Sequence, residues 1–318
     1  MFFLVGPTAS GKSGLAVEVA LLCNAEIVGA DAFQVYRGLD LLTAKPEADL
    51  LTKVRHHLIG EIPLEESFDA ARYRKLALER VREIEGRGKR ALVVGGTGLY
   101  VRALAQGLSD LPEGEPELRR ELEELTLAQL QEKYAALDPR GAERIDRKNR
   151  RRLVRAIEVS LLTGVPFSSL RADWSGGAPV AARVAARVAA GAAAGVALER
   201  AREELHGRID MRVRRMFDQG VVEEVRMAGE AGLTAAQAIG YTEIRAHLRG
   251  EMSAQECIGA IQRRTRQYAK RQLTWQRRDN MFLRINLTNT SQSETAEAIA
   301  RRMADAGPGC GQSGFEDV

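Results

Sequence analysis

At 318 residues, 45% of them apolar and 28% charged, the chain has the composition of an ordinary globular protein and is long enough for a large core in one or two domains. No apolar run is long enough to span a bilayer, and no basic segment precedes Phe2-Phe3-Leu4-Val5 as a signal peptide requires. Three cysteines, Cys23, Cys257 and Cys310, form no C-x-x-C pair, which argues against a disulfide framework or a zinc site and fits reduced, cytoplasmic surroundings; the net charge of +4 points only weakly to nucleic acid.

Phe2 to Val5 is a short apolar run closed by Gly6-Pro7 and reads as a buried strand. Helical spacing follows over Ser13 to Leu22, then a second strand over Glu26 to Ala30 that ends at Asp31, then helical spacing over Phe68 to Glu85. Arg90 to Val94 is a third strand, ending in Gly95-Gly96-Thr97-Gly98, and Leu99 to Ala105 opens another helix. Alternating strands and helices predict an α/β fold, a phosphate-loop parallel sheet flanked by helices. From Leu111 the character changes: Leu118 to Tyr134 and Arg151 to Leu162 are charged amphipathic helices without strand signal. They predict a helical insertion domain over 111–175 between two core segments, 1–110 and 176–306. Trp174 to Ala178 reads as a loop, and Val180 to Gly195 is an Ala-rich near-repeat to which no chemistry is assigned. Ala194 to Arg226 and Ala254 to Arg278 read as helical, and the Gly-rich, acidic 307–318 as a disordered tail.

Gly6-Pro7-Thr8-Ala9-Ser10-Gly11-Lys12-Ser13 matches G-x-x-x-x-G-K-[ST] and lies between a strand and a helix, where that motif belongs. The glycines let the backbone curl so that N–H groups point inward, and the helix N-terminus and Lys12 add positive charge. The loop is a diphosphate cradle, silent on which phosphate ester it takes. An ATPase or kinase needs a later strand ending in a magnesium-holding Asp. Here the third strand ends in Gly-Gly-Thr, which argues against nucleotide hydrolysis. Asp31, closing the second strand, sits at the sheet edge where open parallel sheets bind ligands. It could be a general base, a magnesium ligand or a turn residue. The loop after it mixes aromatic, amide and Arg side chains, as suits recognition of an unpaired base.

Together, GPTASGKS from Gly6, GADAFQVYRGLDLLTAKP from Gly29 and VVGGTGLYVRAL from Val93 resemble the tRNA dimethylallyltransferase (tRNA isopentenyltransferase) family. Gln237-Ala238-Ile239-Gly240-Tyr241 and the run Arg264 to Arg278, RTRQYAKRQLTWQRR, are similar to the same family, so ordered matches run from Gly6 to about Arg278. The resemblance implies transfer of a dimethylallyl group from dimethylallyl diphosphate to the exocyclic amine of the adenosine 3′ of the anticodon. It implies Asp31 as the acceptor of the amine proton, with Thr8, Thr97 and Arg212 also catalytic. Gly6 to Ser13 would hold the departing diphosphate, which magnesium bridges with Ser13 as hydroxyl ligand. On residue grounds alone, Thr97 could instead cap the helix at Leu99, and Arg212 could be a solvated surface residue.

Two basic clusters bear on RNA. Arg147 to Arg155 holds six basic residues and no acid, and Arg263, Lys270 and Arg277 recur at intervals of seven, as do Arg264, Arg271 and Arg278. On a helix that spacing makes a basic stripe, punctuated by Tyr268 and Trp275, which could stack bases or pack into the core. The resemblance implies tRNA contacts, through the anticodon stem-loop, at Asp31, Ala32, Phe33, Gln34, Thr97 and Arg119. It adds Arg151, Arg152, Leu153, Val154 and Arg155; Gln237, Ala238, Ile239, Gly240, Tyr241 and Thr242; and Lys270, Arg271, Gln272, Thr274, Trp275 and Arg277. A monomer with no membrane partner is expected. The family usually has Ser where this chain has Ala32. A small-molecule or nucleotide kinase and a non-catalytic RNA-binding module are the competing readings; only a kinase would consume ATP, and only a binding module would be indifferent to loss of Asp31.

Overall fold

The structure, a computed structural model, describes residues 1–108, 111–170 and 194–305. The loop Trp174 to Ala178, the Ala-rich run before Ala194 and the tail 307–318 lie outside the described residues. In chain order, the first segment supplies β1 (Phe2–Val5), α1 (Lys12–Leu22), β2 (Ala25–Ala30), α2 (Ala48–Lys53), β3 (His56–His57), α3 (Ala70–Gly86), β4 (Arg90–Gly95) and α4 (Gly98–Gln106). Then come α5 (Pro116–Glu124), α6 (Leu127–Leu137), α7 (Pro139–Ala142), α8 (Arg150–Thr163) and α9 (Phe167–Leu170). The last segment supplies β5 (Gly195–Glu199), α10 (Arg202–Asp218), α11 (Val221–Ala228), α12 (Tyr241–Leu248), α13 (Ala254–Arg278), β6 (Phe282–Asn286) and α14 (Gln292–Asp305). The chain divides into two compact units: Met1–Ala105 with Arg183–Val318, and Gln106–Ala182.

The first unit is built on one six-stranded, all-parallel sheet in the order β3-β2-β4-β1-β5-β6. Its strands are buried on both sides, which is why β1 reads FFLV without alternation. Phe2, Leu4, Ile27, Leu92, Val196 and Leu198 meet Leu15, Val19, Ile299 and Met303 of α1 and α14 in one core. Close strand approach requires glycine twice: a Cβ on Gly95 would lie 2.1 Å from the Ala30 carbonyl oxygen, and one on Gly195 2.1 Å from that of Phe3.

Two expected helices are corrected. Ala194 to Arg226 is not one helix: it opens with β5, hydrogen-bonded between β1 and β6, and Gly220 at φ 92° separates α10 from α11. The run Val196-Ala197-Leu198 is too short for periodicity to tell a buried strand from a helix. Leu118 to Tyr134 breaks at Thr126, whose hydroxyl accepts from Gln129 N–H while the Gln129 side chain accepts from Thr126 N–H, a capping box that starts α6. The second unit packs Leu122, Leu130, Tyr134, Leu153, Val154, Ala156 and Ile157 into a core of its own.

Candidate active site

The sheet register gathers the candidate residues at one edge. Val5 pairs with Gly95, and Gly95 with Ala30, so the three central strands end level. The chain leaving β1 enters the loop Gly6 to Ser13, that leaving β2 begins with Asp31, and that leaving β4 runs through Gly96 and Thr97 into α4.

The loop has the conformation its sequence dictates. Ala9 (φ 64°) and Gly11 (φ 94°) are left-handed, and such left-handed residues in a turn favour an anion-binding concavity of backbone N–H groups; the Ser10 N–H is taken by the Pro7 carbonyl at 3.3 Å. Lys12 and Ser13 open α1, whose first-turn N–H groups have no acceptor within the helix. Lys12 Nζ donates to the Pro7 carbonyl at 2.7 Å. Three arginines donate to the loop. Arg200 Nε donates to the Ser10 carbonyl at 2.8 Å, Arg208 Nε to the Ala9 carbonyl at 2.9 Å, and Arg212 donates to the Thr8 hydroxyl at 2.7 Å. A Thr8 hydroxyl that accepts from a guanidinium keeps its own proton to donate. The Thr8 N–H is already taken by Gln272 Oε1 at 2.8 Å, so it is not among the loop donors left for an anion.

Asp31 turns on itself: Oδ1 accepts from Phe33 N–H at 2.9 Å and Gln34 N–H at 3.3 Å. Thr97 joins the second and fourth strands' loops. Its N–H donates to the Ala30 carbonyl and its hydroxyl accepts from Ala32 N–H at 3.0 Å. The Thr97 carbonyl, not its side chain, receives the first N–H groups of α4, so the hydroxyl is not spent on a helix cap. Gln34 donates its amide to the Thr43 and Ala44 carbonyls, which folds the following loop back.

Positive charge outweighs negative here. Burial lowers Lys12 to about 8 against the opposing pull of Asp31, with the Arg212 charge lowering it further. Burial also lowers Arg212 to about 10, with Asp31 opposing and Arg208 adding to the fall. Arg208 is depressed by burial and by its neighbour Arg200. Lys12 and Arg212 both feel the Asp31 carboxylate, so the cradle and the acid share one electrostatic environment. Ser10 Oγ and Arg212 Nε are buried with no hydrogen-bond partner among the described residues. A buried excess of cations with idle polar atoms is the state of a site made for a polyanion.

For a metal, no group of three His, Cys, Asp or Glu among the described residues could hold an ion unaided. Magnesium keeps waters and binds through substrate phosphates with few protein ligands, so one hydroxyl at Ser13 beside a diphosphate fits that chemistry.

The residues expected at RNA sort by exposure. Arg119, Arg151 and Arg152 are exposed and Arg155 is half-buried, whereas Leu153 and Val154 belong to the core of the second unit; their side chains cannot reach RNA there, because α8 turns that apolar stripe inward. Arg119 and Arg155 both donate to the buried Glu158, each at 2.7 Å. Gln237 and Thr242 are exposed and Ile239 half-buried, but Ala238, Gly240 and Tyr241 are buried, and the Tyr241 hydroxyl donates to the Gly229 carbonyl. On α13, Lys270, Arg271, Thr274 and Arg277 are exposed. Trp275 lies half-buried against the Gly-Gly-Thr-Gly turn, where a Cβ on Gly98 would sit 2.4 Å from its ring. Gln272 is buried, with both ends of its amide in use. Ala32, Phe33 and Gln34 are half-buried beside Asp31.

Sequence reasoning missed Arg200 and Arg208. Arg208 stands one helical turn before Arg212, a spacing that could have flagged it; Arg200 carries no local signal, because it reaches the loop only once β5 lies beside β1.

The model of the IPP transferase family matches residues 34–279. The tRNA dimethylallyltransferase 1 of Citrifermentans bemidjiense is 46% identical over 281 residues, 87% of this chain and 89% of that protein. That of Akkermansia muciniphila, a tRNA dimethylallyltransferase, is 38% identical over 303 residues, 95% of this chain and 98% of that protein. Among solved structures, the full-length tRNA isopentenylpyrophosphate transferase of Bacillus halodurans is 32% identical, with a TM-score of 0.68 over 96% of this chain and 95% of that one. A eukaryotic dimethylallyltransferase acting on tRNA shares the fold, with a TM-score of 0.77 at 23% identity, over 95% of this chain and 79% of that one.

Proposed function

Because the chain belongs to the IPP transferase family, we propose the following division of labour for a tRNA-modifying prenyltransferase. The enzyme transfers a dimethylallyl group to the exocyclic amine of the adenosine 3′ of the anticodon and releases diphosphate. Dimethylallyl diphosphate places its diphosphate in the loop Gly6 to Ser13. As the carbon–oxygen bond breaks, charge grows on the leaving group. The helix N-terminus, Lys12, the Thr8 hydroxyl and Arg212 stabilise it. Magnesium, when bound with the diphosphate, would neutralise more of that charge, with Ser13 as its hydroxyl ligand.

The adenosine amine is a poor nucleophile because its lone pair is delocalised into the ring. Asp31 Oδ1 is occupied by its own turn, so Oδ2 is the oxygen for the amine proton. Thr97, already bonded to Ala32, orients the base beside it. The base must leave the anticodon-loop stack to reach this edge, at a cost of a few kcal/mol. Basic side chains supply the compensating contacts to the stem-loop backbone: Arg119, Arg151, Arg152 and Arg155 in the helical unit, and Lys270, Arg271 and Arg277 on α13. We assign the enzyme to the cytoplasm as a monomer; no described helix is long and apolar enough to cross a membrane.

The observation that carries the reading is the level ending of β1, β4 and β2, which sets an anion cradle and a carboxylate side by side. The test is incubation with an anticodon stem-loop and radiolabelled dimethylallyl diphosphate. Label on the adenosine with matching release of diphosphate, and no ATP turnover, is the expected result. ATP hydrolysis without labelled RNA would overturn it.

A further inference from the structure

Helix α13 does more than offer a basic face. Gln272 is 4% exposed, and its side-chain amide is used at both ends. Oε1 accepts from Thr8 N–H at 2.8 Å and Nε2 donates to the Gly96 carbonyl at 2.9 Å. One amide therefore ties the loop after β1 to the turn after β4. A Cβ on Gly96 would lie 2.2 Å from Nε2, so the glycine is what admits the amide. Gly96 is followed directly by Thr97. Thr97 in turn receives the Ala32 N–H beside Asp31. The Gln272 amide thus bonds both the loop after β1 and the residue next to Thr97, which itself bonds the turn at Asp31.

We propose that Gln272 is a positioning residue for prenyl transfer: it sets the spacing between the diphosphate loop and the Asp31–Thr97 turn while touching neither substrate. The inference rests on the prenyl-transfer reading above. The strand ladder ends at the Val5–Gly95 pair. Beyond it, the spacing of the two loops depends on the bonds they make for themselves. Displacement at carbon needs the amine, the carbon and the leaving oxygen in line, and a misplacement of about 1 Å costs on the order of a hundredfold in rate.

The test substitutes Gln272→Met, similar in length but unable to make either bond. In the full chain, kcat should fall about thirtyfold and the KM for dimethylallyl diphosphate rise about fivefold, the scale of losing two buried hydrogen bonds at a site that demands alignment. The stem-loop Kd should stay within about twofold, and the Thr8 amide should exchange faster while the amides of β1 and β4 do not. Should the Met variant fail to fold, Gln272→Glu keeps the acceptor for Thr8 N–H and, when ionised, loses the donor to Gly96. It should leave Thr8 protected and kcat depressed. A folded variant with wild-type kcat and KM sinks the proposal, as does a loss confined to stem-loop affinity, which would make Gln272 an RNA contact. If the wild-type chain itself fails to prenylate the stem-loop, the reading of the reaction falls. The positioning role is then judged on inorganic pyrophosphate affinity and Thr8 exchange, and it falls too if both are unchanged in the variant.

Discussion

Lys12 is the residue whose chemistry the surroundings change most usefully. Burial holds it near 8, so in the ligand-free protein it is already losing its proton in mildly alkaline solution. A bound diphosphate favours the charged ammonium, so binding takes up a proton wherever the free lysine is deprotonated. The Lys12 contribution to pyrophosphate affinity should therefore fall as pH rises beyond about 8, by up to about tenfold per pH unit. Calorimetry in two buffers of different ionisation enthalpy reads the proton directly; an affinity that does not fall between about 8 and 9.5, roughly one and a half units above that midpoint, would detach Lys12 from the anion. Asp31 makes the opposite kind of contribution. Asp31→Asn keeps the turn through its amide oxygen and removes the proton acceptor. Turnover should drop on the order of a hundredfold or more with stem-loop affinity intact. Near-normal turnover would remove Asp31 as the base. Both residues were legible in the sequence because a glycine-rich loop and a strand-ending acid are local features. The partners that tune them were not: Arg212 reaches Thr8 across 204 positions of chain.

Among the elements, helices with a local start signal and a clean apolar stripe were read best. α3 begins behind Asp69, which accepts from Arg72 N–H at 2.8 Å, close to the expected start at Phe68. The break between α5 and α6 was missed although Thr126 and Gln129 spell a capping box, because charged residues continue the helical pattern on both sides of it. Thr126→Ala should cost about 1 kcal/mol of stability, read as a lowered denaturant midpoint with unchanged slope. No loss would mean that the break is set by packing alone. The basic face of α8 invites a test specific to RNA. Arg152 is exposed, and Arg152→Ala should weaken stem-loop binding and flatten its log–log salt dependence by about one unit. An unaltered slope would take Arg152 off the phosphate backbone. Leu153 and Val154 beside it carry the opposite lesson: a run of neighbours on a helix divides between solvent and core, whatever role the run has as a whole.

For the whole molecule, the acid limit of stability should be set in part by the ion pairs around Glu26 near the start of β2. Glu26 is 2% exposed. It pairs with His57 at 2.7 Å, Arg87 at 2.7 Å and Lys89 at 3.3 Å, tying together β2, β3 and the turn into β4. Burial alone would raise its pKa, but the hydrogen bonds from His57, Arg87 and Lys89 outweigh it and bring the carboxyl from 4.5 down to about 2. A depressed carboxyl stabilises the fold fully above its unfolded value, and the contribution is lost as pH falls toward the folded one. Urea midpoints should decline between about pH 4.5 and 2, and Glu26→Gln should lower the midpoint at neutral pH and flatten that decline. An unchanged pH profile in the variant would assign acid denaturation to other groups. The residues alone settled that a strand feeds a phosphate loop, that an acid closes the next strand, and that two basic helical stretches exist, because each is a matter of neighbours within a few positions. They could not settle that Gly195–Glu199 is a strand, that Gln272 points into the site while Arg271 points out, or that Arg200 and Arg208 clasp the loop. Those depend on which strand lies beside which and on what each helix face meets. Such facts arise only when segments hundreds of positions apart are brought into one register and water is driven from between them.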